Sequence, residues 1–401
     1  MEWKEVTLGD FMQCNPKRTI KKGQKARKIT MDLLIPHSKT IRNWNYEPYS
    51  GGAKFQNGDT IMARITPCLE NGKHAFVSIL NKGEIAYGST EYFVFCGKED
   101  VSDNDFVYYL TKTPLFRDTA IKSMVGSSGR QRAQMDVLEN LKMLVPKDIS
   151  DQRRIASILS SLDRKIELNN KINADLEEMA QAIFKNWFVD FELFKDGKFV
   201  DSELGMIPEG WKIGTLTDVI KLMPGGTPKT SEPLYWDNGT IPFFSPKDVN
   251  GVYCFTTEKH ITETGLNKCS SNLYPKDTIF ITCRGTVGKV CLAACDMAMN
   301  QSNYAIKAID GYSQCYVFFL VKSVVERLIK KSNGAVFSAI TSKDFDEEIL
   351  IPSQKAVEDF TNVIDGFFRR IFTIGTENSR LSLLRDTLLP RLMSGELEVP
   401  E

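Results

Sequence analysis

The strongest constraint on the fold of this chain is an internal duplication. Residues 3–10 and residues 211–218 share Trp, Lys, Thr, Leu and Asp in register, and each segment opens one half of the chain. Each half then passes through a β-rich stretch to an apolar-apolar-Pro exit, at residues 144–146 and 350–352, and a long helical pattern follows. This arrangement predicts two similar modules and two similar helices with approximate two-fold symmetry. Such symmetry suits a ligand with two separated half-sites, and double-stranded DNA is the most common ligand of that kind.

The composition is that of an ordinary globular protein. With 401 residues, of which 42% are apolar and 25% charged, the chain has room for two or three domains. No apolar run approaches the roughly 18 residues of a membrane span, and the first residues do not resemble a signal peptide. We therefore expect a cytoplasmic protein.

Cysteine and histidine usage argues against a disulfide framework and against a metal site. The nine cysteines form no C-x-x-C pair, and the chain has three histidines. Cys291 and Cys295 are the closest pair, but the run around them is apolar and strand-like, which favours two buried free thiols over metal ligands. We predict no metal and no cofactor.

Charge is distributed unevenly along a chain whose formal net charge is zero. Residues 1–150 carry 22 Lys and Arg against 17 Asp and Glu, a net charge of +5, whereas residues 201–353 carry 15 against 17. Since phosphate binding needs positive charge, a second module that binds DNA would need a local basic face on a nearly neutral body.

Two heptad patterns, offset by a constant 205 residues, follow the two modules. They predict two helices of some 35 to 40 residues, about 55 Å long at 1.5 Å per residue, that pair as an antiparallel coiled coil. Two ordinary core helices of a bundle are the alternative. Polar Asn169 is the kind of seam residue that fixes register at some cost in stability. The predicted seams are Ile155, Leu162, Asn169, Leu176 and Ile183 in the first helix, and Phe360, Phe367, Ile374, Leu381 and Leu388 in the second.

These patterns divide the chain into six segments. We call residues 1–150 the first module and residues 211–353 the second module. The remaining segments are the first long helix at 151–188, a linker at 189–210, the second long helix at 354–393 and a C-terminal tail at 394–401.

Several short segments, in this order, resemble the specificity subunit of type I restriction-modification enzymes over essentially the whole chain. They are residues 63–67, 72–73, 129–132, 152–156, 207–212, 225–228 and 235–236. The resemblance implies an α+β fold in which two globular α/β target recognition domains are separated by two long helices that pair as an antiparallel coiled coil, with pseudo-two-fold symmetry. The second helix departs from the family pattern, because residues 354–357 lack its Gln-Arg-x-Ile start.

The same resemblance implies a function and partners. Each recognition domain would read one half of a bipartite DNA target, and the helices would set the non-specific gap and dock two methyltransferase subunits. Restriction subunits, which carry the translocase and endonuclease, would join the full complex. The loops of the two modules differ in composition, so we expect an asymmetric target.

Candidate DNA-binding residues follow from the chemistry of recognition. Base edges are read by paired hydrogen bonds from Arg, Lys, Asn and Gln, and phosphates take Lys, Ser and Thr. Solvated turns are the alternative interpretation of each loop. The candidates are Arg64, Lys73, Arg130, Gln131, Arg132, Lys229, Lys247, Arg284, Lys289, Asn300, Gln301, Ser302 and Lys343.

Catalytic interpretations find little support in the sequence. Residues 284–290 resemble a phosphate-binding loop superficially, but Cys283 and Val290 occupy positions that the motif gives to Gly and to Ser or Thr. The chain has no Asn-Pro-Pro-aromatic tetrapeptide of an adenine methyltransferase, and we find no nuclease pattern of paired carboxylates with a Lys. A purely structural coiled-coil adaptor would explain the helices but not the two β-rich modules. We therefore expect a non-catalytic subunit.

Overall fold

The computed structural model describes residues 1–331 and 339–399 and divides the chain into two compact units. The first unit comprises Met1–Leu168 and Arg380–Glu401, and the second comprises Asn169–Ser379. Each unit therefore contains one module together with part of each long helix. Residues 332–338 of the predicted second module and residues 400–401 of the predicted tail lie outside the described residues.

In the first unit, two four-stranded sheets carry the module. Their strand orders are β2-β9-β6-β7 and β4-β3-β8-β5, and β1 pairs antiparallel with β10. The strands are β1 (Trp3–Thr7), β2 (Met12–Cys14), β3 (Lys25–Ile29), β4 (Asn45–Pro48), β5 (Lys54–Gln56), β6 (Thr60–Ala63), β7 (His74–Phe76), β8 (Ile85–Gly88), β9 (Tyr92–Gly97) and β10 (Lys142–Pro146), and the helices are α1 (Leu8–Phe11), α2 (Asn104–Leu110), α3 (Pro114–Lys122), α4 (Met135–Glu139) and the start of α5 (Ile149–Phe188).

Alternation along β9 explains why this module has two hydrophobic cores. Successive side chains of a strand point to opposite faces, so Phe93 and Phe95 enter one core while Tyr92 and Val94 enter the other. The first of these cores also contains Ile155 of the long helix. The helix is therefore part of the folded module in this unit.

Gln152 attaches the start of α5 to the module. Its side chain is fully buried, accepts a hydrogen bond from the backbone nitrogen of Asp103, and donates to the carbonyl oxygens of Val101 and Pro146, both at 3.1 Å. Asp103 in turn caps α2 by accepting from the backbone nitrogen of Phe106. Burial of a side-chain amide is favourable only when its polar atoms are paired, which these contacts achieve.

The second unit repeats this plan. The order β14-β21-β18-β19 matches β2-β9-β6-β7 of the first unit, and β13 pairs antiparallel with β22 as β1 does with β10. Its elements are β11 (Phe199–Val200), β12 (Ile207–Pro208), β13 (Lys212–Thr215), β14 (Ile220–Pro224), β15 (Ile241–Phe244), β16 (Tyr253–Cys254), β17 (Lys259–Ile261), α6 (Glu263–Asn267), β18 (Ile279–Thr282), β19 (Val290–Ala293), β20 (Ala298–Met299), β21 (Asn303–Ala308), α7 (Gln314–Lys331), β22 (Glu348–Ile351) and α8 (Gln354–Met393).

The tryptophan that opens each half of the chain packs against the segment that follows a long helix. Trp211 contacts Phe191 and Phe194, with ring centroids 5.5 and 5.2 Å apart. Trp3 lies against Gly395, where a Cβ atom would come within 2.7 Å of the indole. The duplicated tryptophans therefore have equivalent structural roles.

The two long helices run antiparallel within the second unit. Asn169 donates to Glu377 and Asn378 at 2.8 Å, and the ring centroids of Phe184 and Phe360 are 5.8 Å apart. Residues further along α5 therefore contact residues nearer the start of α8. The predicted fold class, with two modules of the same topology and paired antiparallel helices, is confirmed.

The buried face of these helices is wider than a strict heptad seam. Of the predicted seam residues, Ile155, Asn169, Phe360 and Ile374 are buried, whereas Leu162, Leu176, Ile183, Phe367, Leu381 and Leu388 are half-buried. In the second unit, α7 adds Tyr316 and Phe319 to the same core, and helices that face more than one neighbour bury a broad stripe. Further buried helix residues there are Ala180, Phe184, Phe188, Ile364, Phe368 and Ile371.

All nine cysteines are free. Cys291 is buried in β19, and burial raises the pKa of its thiol. Cys295 is exposed, because β19 ends at Ala293 and the chain turns into solvent. The prediction of two buried thiols is thus wrong for Cys295. Within the described residues, no helix is long and apolar enough to cross a membrane.

Candidate nucleic-acid interface

In the first module, backbone hydrogen bonds bring two predicted loops together. The backbone nitrogen of Ala133 donates to the carbonyl oxygen of Arg64 at 2.8 Å, and that of Thr66 donates to Gln131 at 2.9 Å. Val125 and Arg132 exchange two further bonds, which closes residues 125–132 as a hairpin. Arg64, Gln131 and Arg132 therefore share one surface, and Arg130 is exposed near the tip of the hairpin.

Glu91, which the sequence analysis did not identify, joins two of these arginines. It accepts from Nε and Nη2 of Arg132 at 3.0 and 2.8 Å and from Nε of Arg64 at 3.2 Å. The hydrogen bond from Arg132, reinforced by the one from Arg64, lowers the pKa of Glu91 despite partial burial. A search limited to cationic and amide side chains could not find this carboxylate.

Lys73 is placed differently from the other candidates of the first module. Its ammonium donates to the carbonyl oxygen of Met31 at 2.6 Å, and the side chain is half-buried. The carbonyl oxygen of Lys73 also accepts from the backbone nitrogen of Ala63. Both contacts fix the end of the loop that begins at Arg64. The geometry gives Lys73 a structural contact.

The polar candidates of the second module gather where several strands end. Asn300 donates from its backbone nitrogen to Phe244 at 3.0 Å, and its side-chain oxygen accepts from the backbone nitrogen of Ser302, also at 3.0 Å. Gln301 accepts a hydrogen bond from the hydroxyl of Thr227. The loop after β14, the end of β15 and the loop before β21 therefore meet.

The cationic candidates of this module lie on several loops. Lys229, Lys247, Arg284, Lys289 and Lys343 are all exposed. Lys247 is 3.8 Å from a carboxylate oxygen of Glu258 in a largely exposed pair, which stabilises little. The second module therefore presents exposed cations despite its nearly neutral overall charge.

Gly225 and Gly226 permit this close approach of loops. A Cβ atom on Gly225 would lie 2.0 Å from the carbonyl oxygen of Asn300, and one on Gly226 would lie 2.3 Å from the hydroxyl of Ser270. Any larger residue would push the loops apart, so the glycine pair of the sequence motif is a packing requirement.

The two modules share one backbone frame at this surface. In the first, the backbone nitrogen of Arg64 donates to the carbonyl oxygen of Glu91 at 3.0 Å, and the backbone nitrogen of Ala133 donates to the carbonyl oxygen of Arg64. In the second, the backbone nitrogen of Cys283 donates to the carbonyl oxygen of Ser302 at 2.8 Å, and that of Ile340 donates to the carbonyl oxygen of Cys283 at 3.0 Å. Arg64, Glu91 and Arg132 therefore correspond in position to Cys283, Ser302 and Ala339.

The surface can form hydrogen bonds and ion pairs with bases and phosphates. Both modules present arginine, lysine or amide side chains from loops fixed by strands, which is the arrangement that reads base edges and positions a phosphate backbone. Within the described part of the chain, no three His, Cys, Asp or Glu side chains are grouped as metal ligands.

The sequence matches the family model of the type I restriction modification DNA specificity domain twice, at residues 1–178 and 208–369. These matches cover most of the chain, so the chain belongs to the family of type I restriction-modification DNA specificity subunits. The predicted family is thereby confirmed, and with it a role in DNA recognition.

Individual proteins that are similar to this chain are specificity subunits of the same family. The type I restriction enzyme MjaIX specificity subunit of Methanocaldococcus jannaschii is 30% identical over 316 residues, 74% of this chain and 70% of that protein. The HindI specificity subunit of Haemophilus influenzae is 26% identical over 99% of this chain and 100% of its own length. The crystal structure of the S subunit from M. genitalium has the same fold, with a TM-score of 0.51 at 14% identity, covering 98% of this chain and 96% of that one.

Proposed function

We propose that each module reads one half of an asymmetric bipartite DNA target. The observation that carries this proposal is the shared backbone frame with different side chains. Where the first module places Arg64, Glu91 and Arg132, the second places neutral residues. Because direct readout depends on the donors and acceptors offered to the base edges, two corresponding frames with different side chains select different sequences.

The long helices set the non-specific gap and dock two methyltransferase subunits in this proposal. Exposed apolar side chains on both helices support a docking role: Leu383 is 70% exposed on α8, and Leu168 and Met179 are 55% and 53% exposed on α5. Large apolar side chains left in solvent are typical of surfaces that bind another protein. Restriction subunits join the same complex, which acts in the cytoplasm.

The chain itself is non-catalytic in this proposal. Its DNA-binding candidates are cations and amide or hydroxyl side chains, and Glu91, the carboxylate beside Arg64 and Arg132, is paired with both arginines. Such a group stays ionised and occupied, whereas a general base needs a pKa near the working pH.

A selection from a pool of random DNA tests the proposal. The chain, purified with its methyltransferase subunits, should enrich a motif of two different half-sites separated by a fixed number of unspecified base pairs. The isolated chain should neither methylate nor cut DNA with S-adenosylmethionine, ATP and magnesium present. A symmetric motif, no enrichment, or turnover by the isolated chain would contradict the proposal.

A further inference from the structure

Arg64 combines a fixed guanidinium with an unused hydrogen-bonding edge. Its Nε donates to Glu91 at 3.2 Å, and its Cζ lies 5.5 Å from the centroid of the Phe93 ring, so the carboxylate and the ring both constrain the guanidinium. Neither terminal nitrogen of Arg64 has a hydrogen-bond partner in residues 1–331 and 339–399. The side chain is 35% exposed, so these two nitrogens are accessible to a ligand.

Arg132 uses its guanidinium differently. Its Nε and Nη2 both bind Glu91, and its Nη1 points to the carbonyl oxygen of Arg130 at 3.4 Å. The edge with the best geometry for bidentate contact is therefore occupied within the protein. Arg132 supplies charge, which offsets that of a carboxylate placed next to a DNA-binding surface.

The pair of free nitrogens on Arg64 matches one base in particular. Guanine presents two acceptors, O6 and N7, on its major-groove edge, and arginine is the side chain that most often binds both. A guanidinium held in place by a carboxylate loses less conformational entropy on binding than a mobile one. A phosphate would also accept from arginine, but it carries no sequence information.

We propose that Arg64 reads a guanine in the first half-site and that Glu91 is the positioning residue that directs it, with Arg132 balancing the charge of Glu91. This inference rests on the proposed function, because it requires the first module to bind DNA bases. The second module has Cys283, Ser302 and Ala339 at the corresponding positions and lacks this device, so it reads its half-site with other side chains.

Two substitutions test the inference in the complex with methyltransferase subunits, using selection from random DNA. Arg64→Lys keeps the charge but removes the planar pair of donors, so preference for guanine at one position should fall by about 5- to 150-fold, the equivalent of the roughly 1–3 kcal/mol by which a bidentate pair discriminates. The salt dependence of binding should not change. All preferences in the other half-site should stay as in the wild type.

Glu91→Gln tests whether Glu91 positions Arg64 or only stabilises the fold of the first module. It should weaken preference at the same base pair and at the same time strengthen binding to unrelated DNA, because a negative charge beside the phosphates is lost. Glu84→Gln is the matched control: Glu84 pairs with Arg27 at 3.2 Å with similar exposure elsewhere in the same unit, and its loss should leave the motif unchanged. Circular dichroism checks the fold of each variant.

The outcomes distinguish this inference from the proposed function. A wild-type motif with two half-sites but unchanged preferences in Arg64→Lys, or with no G·C pair in either half-site, overturns the inference alone. So does a change at different base pairs in the two variants. Failure of the wild type to enrich any bipartite motif contradicts the proposed function instead. If Glu91→Gln does not fold, Arg64→Lys decides the question by itself.

Discussion

Arg385 of α8 donates to Asp163 of α5 across 2.7 Å, and both side chains are less than a tenth exposed. The second carboxylate oxygen of Asp163 accepts from the hydroxyl of Tyr109 at 2.6 Å, so both of its oxygens are used. Three elements of the first unit, α2, α5 and α8, therefore meet at one carboxylate. Charges removed from water are tolerated when they are paired and hydrogen-bonded in this way.

Replacing Arg385 by Met should destabilise the first unit by about 3–5 kcal/mol, because an uncompensated buried carboxylate remains. Hydrogen exchange of peptides from residues 154–168 and 380–393 measures the change. Glu396→Gln is the control: Glu396 pairs with Arg391 in the same unit, but both side chains are largely exposed, so we expect a change of less than about 1 kcal/mol. Equal effects of the two substitutions would show that burial of the pair is irrelevant.

The first unit should lose stability in mild acid. His74 is buried, its Nε2 lies 3.0 Å from the hydroxyl of Thr111, and burial lowers its pKa well below the usual 6.5. Burial also lowers the pKa of His37, more modestly. Below pH 6.5 the unfolded chain binds protons that the folded unit does not, so the free energy of unfolding decreases as the pH is lowered.

His74→Gln should reduce this acid sensitivity, by up to about 1.4 kcal/mol per pH unit for one group. The measurement is hydrogen exchange of the β7 region between about pH 7 and about pH 5.5, corrected for the pH dependence of chemical exchange. A residual slope from His37 is expected. Replacing exposed His260 of the second unit should not alter the first unit. An unchanged slope in His74→Gln would mean that His74 protonates freely in the folded state.

The second unit depends on aromatic packing instead. Phe360 is fully buried, with ring centroids of Phe184 and Phe188 within 5.8 and 5.1 Å. Phe360→Ala should cost about 3–5 kcal/mol, because the cavity left is lined by rigid rings. Val363→Ala, at an exposed position one turn further along α8, should cost less than about 0.5 kcal/mol. Hydrogen exchange of residues 354–379, measured as the temperature is raised, compares the loss of stability in the two variants.

The duplication and the element types followed from sequence because they depend on spacing, which a single chain displays. The family followed from the resemblance of short segments and their order. The buried stripe of the helices did not, since its width depends on α7, which packs Tyr316 and Phe319 on the same face. The same limit applies to the interface. Arg64 and Arg132 were recognisable by type, but their junction at Glu91 depends on a backbone hydrogen bond between Ala133 and Arg64, 69 positions apart in sequence. Lys73 was likewise chosen by charge, while its ammonium binds the carbonyl oxygen of Met31.

Arg130 should contribute affinity without selectivity. Its side chain is exposed near the hairpin tip, away from the carboxylate that fixes Arg132. Arg130→Ala should weaken binding to all sequences alike and reduce the slope of log affinity against log salt by about one. Lys82→Ala is the control of equal charge change, since nearby Leu80 accepts a hydrogen bond from Asn57, which precedes β6, whereas Arg64 follows the end of β6. A change of preferred bases in Arg130→Ala would instead assign base contact to this residue.

The spacing role of the helices is testable by lengthening both of them. Four helix-forming residues inserted after Leu168 and four before Arg380 leave the contacts within each unit intact, because the insertions fall where the two units divide. Four residues add about 6 Å, so the unspecified gap should grow by about two base pairs while both half-sites stay the same. Inserting two residues at each place rotates the helix faces by roughly half a turn, which should abolish pairing and lower the helical content. The bound motif of each variant, selected from random DNA, gives the gap directly. An unchanged gap in a fully folded four-residue variant would mean that the helices do not set the spacing, and the bipartite target would then rest on the duplicated modules alone.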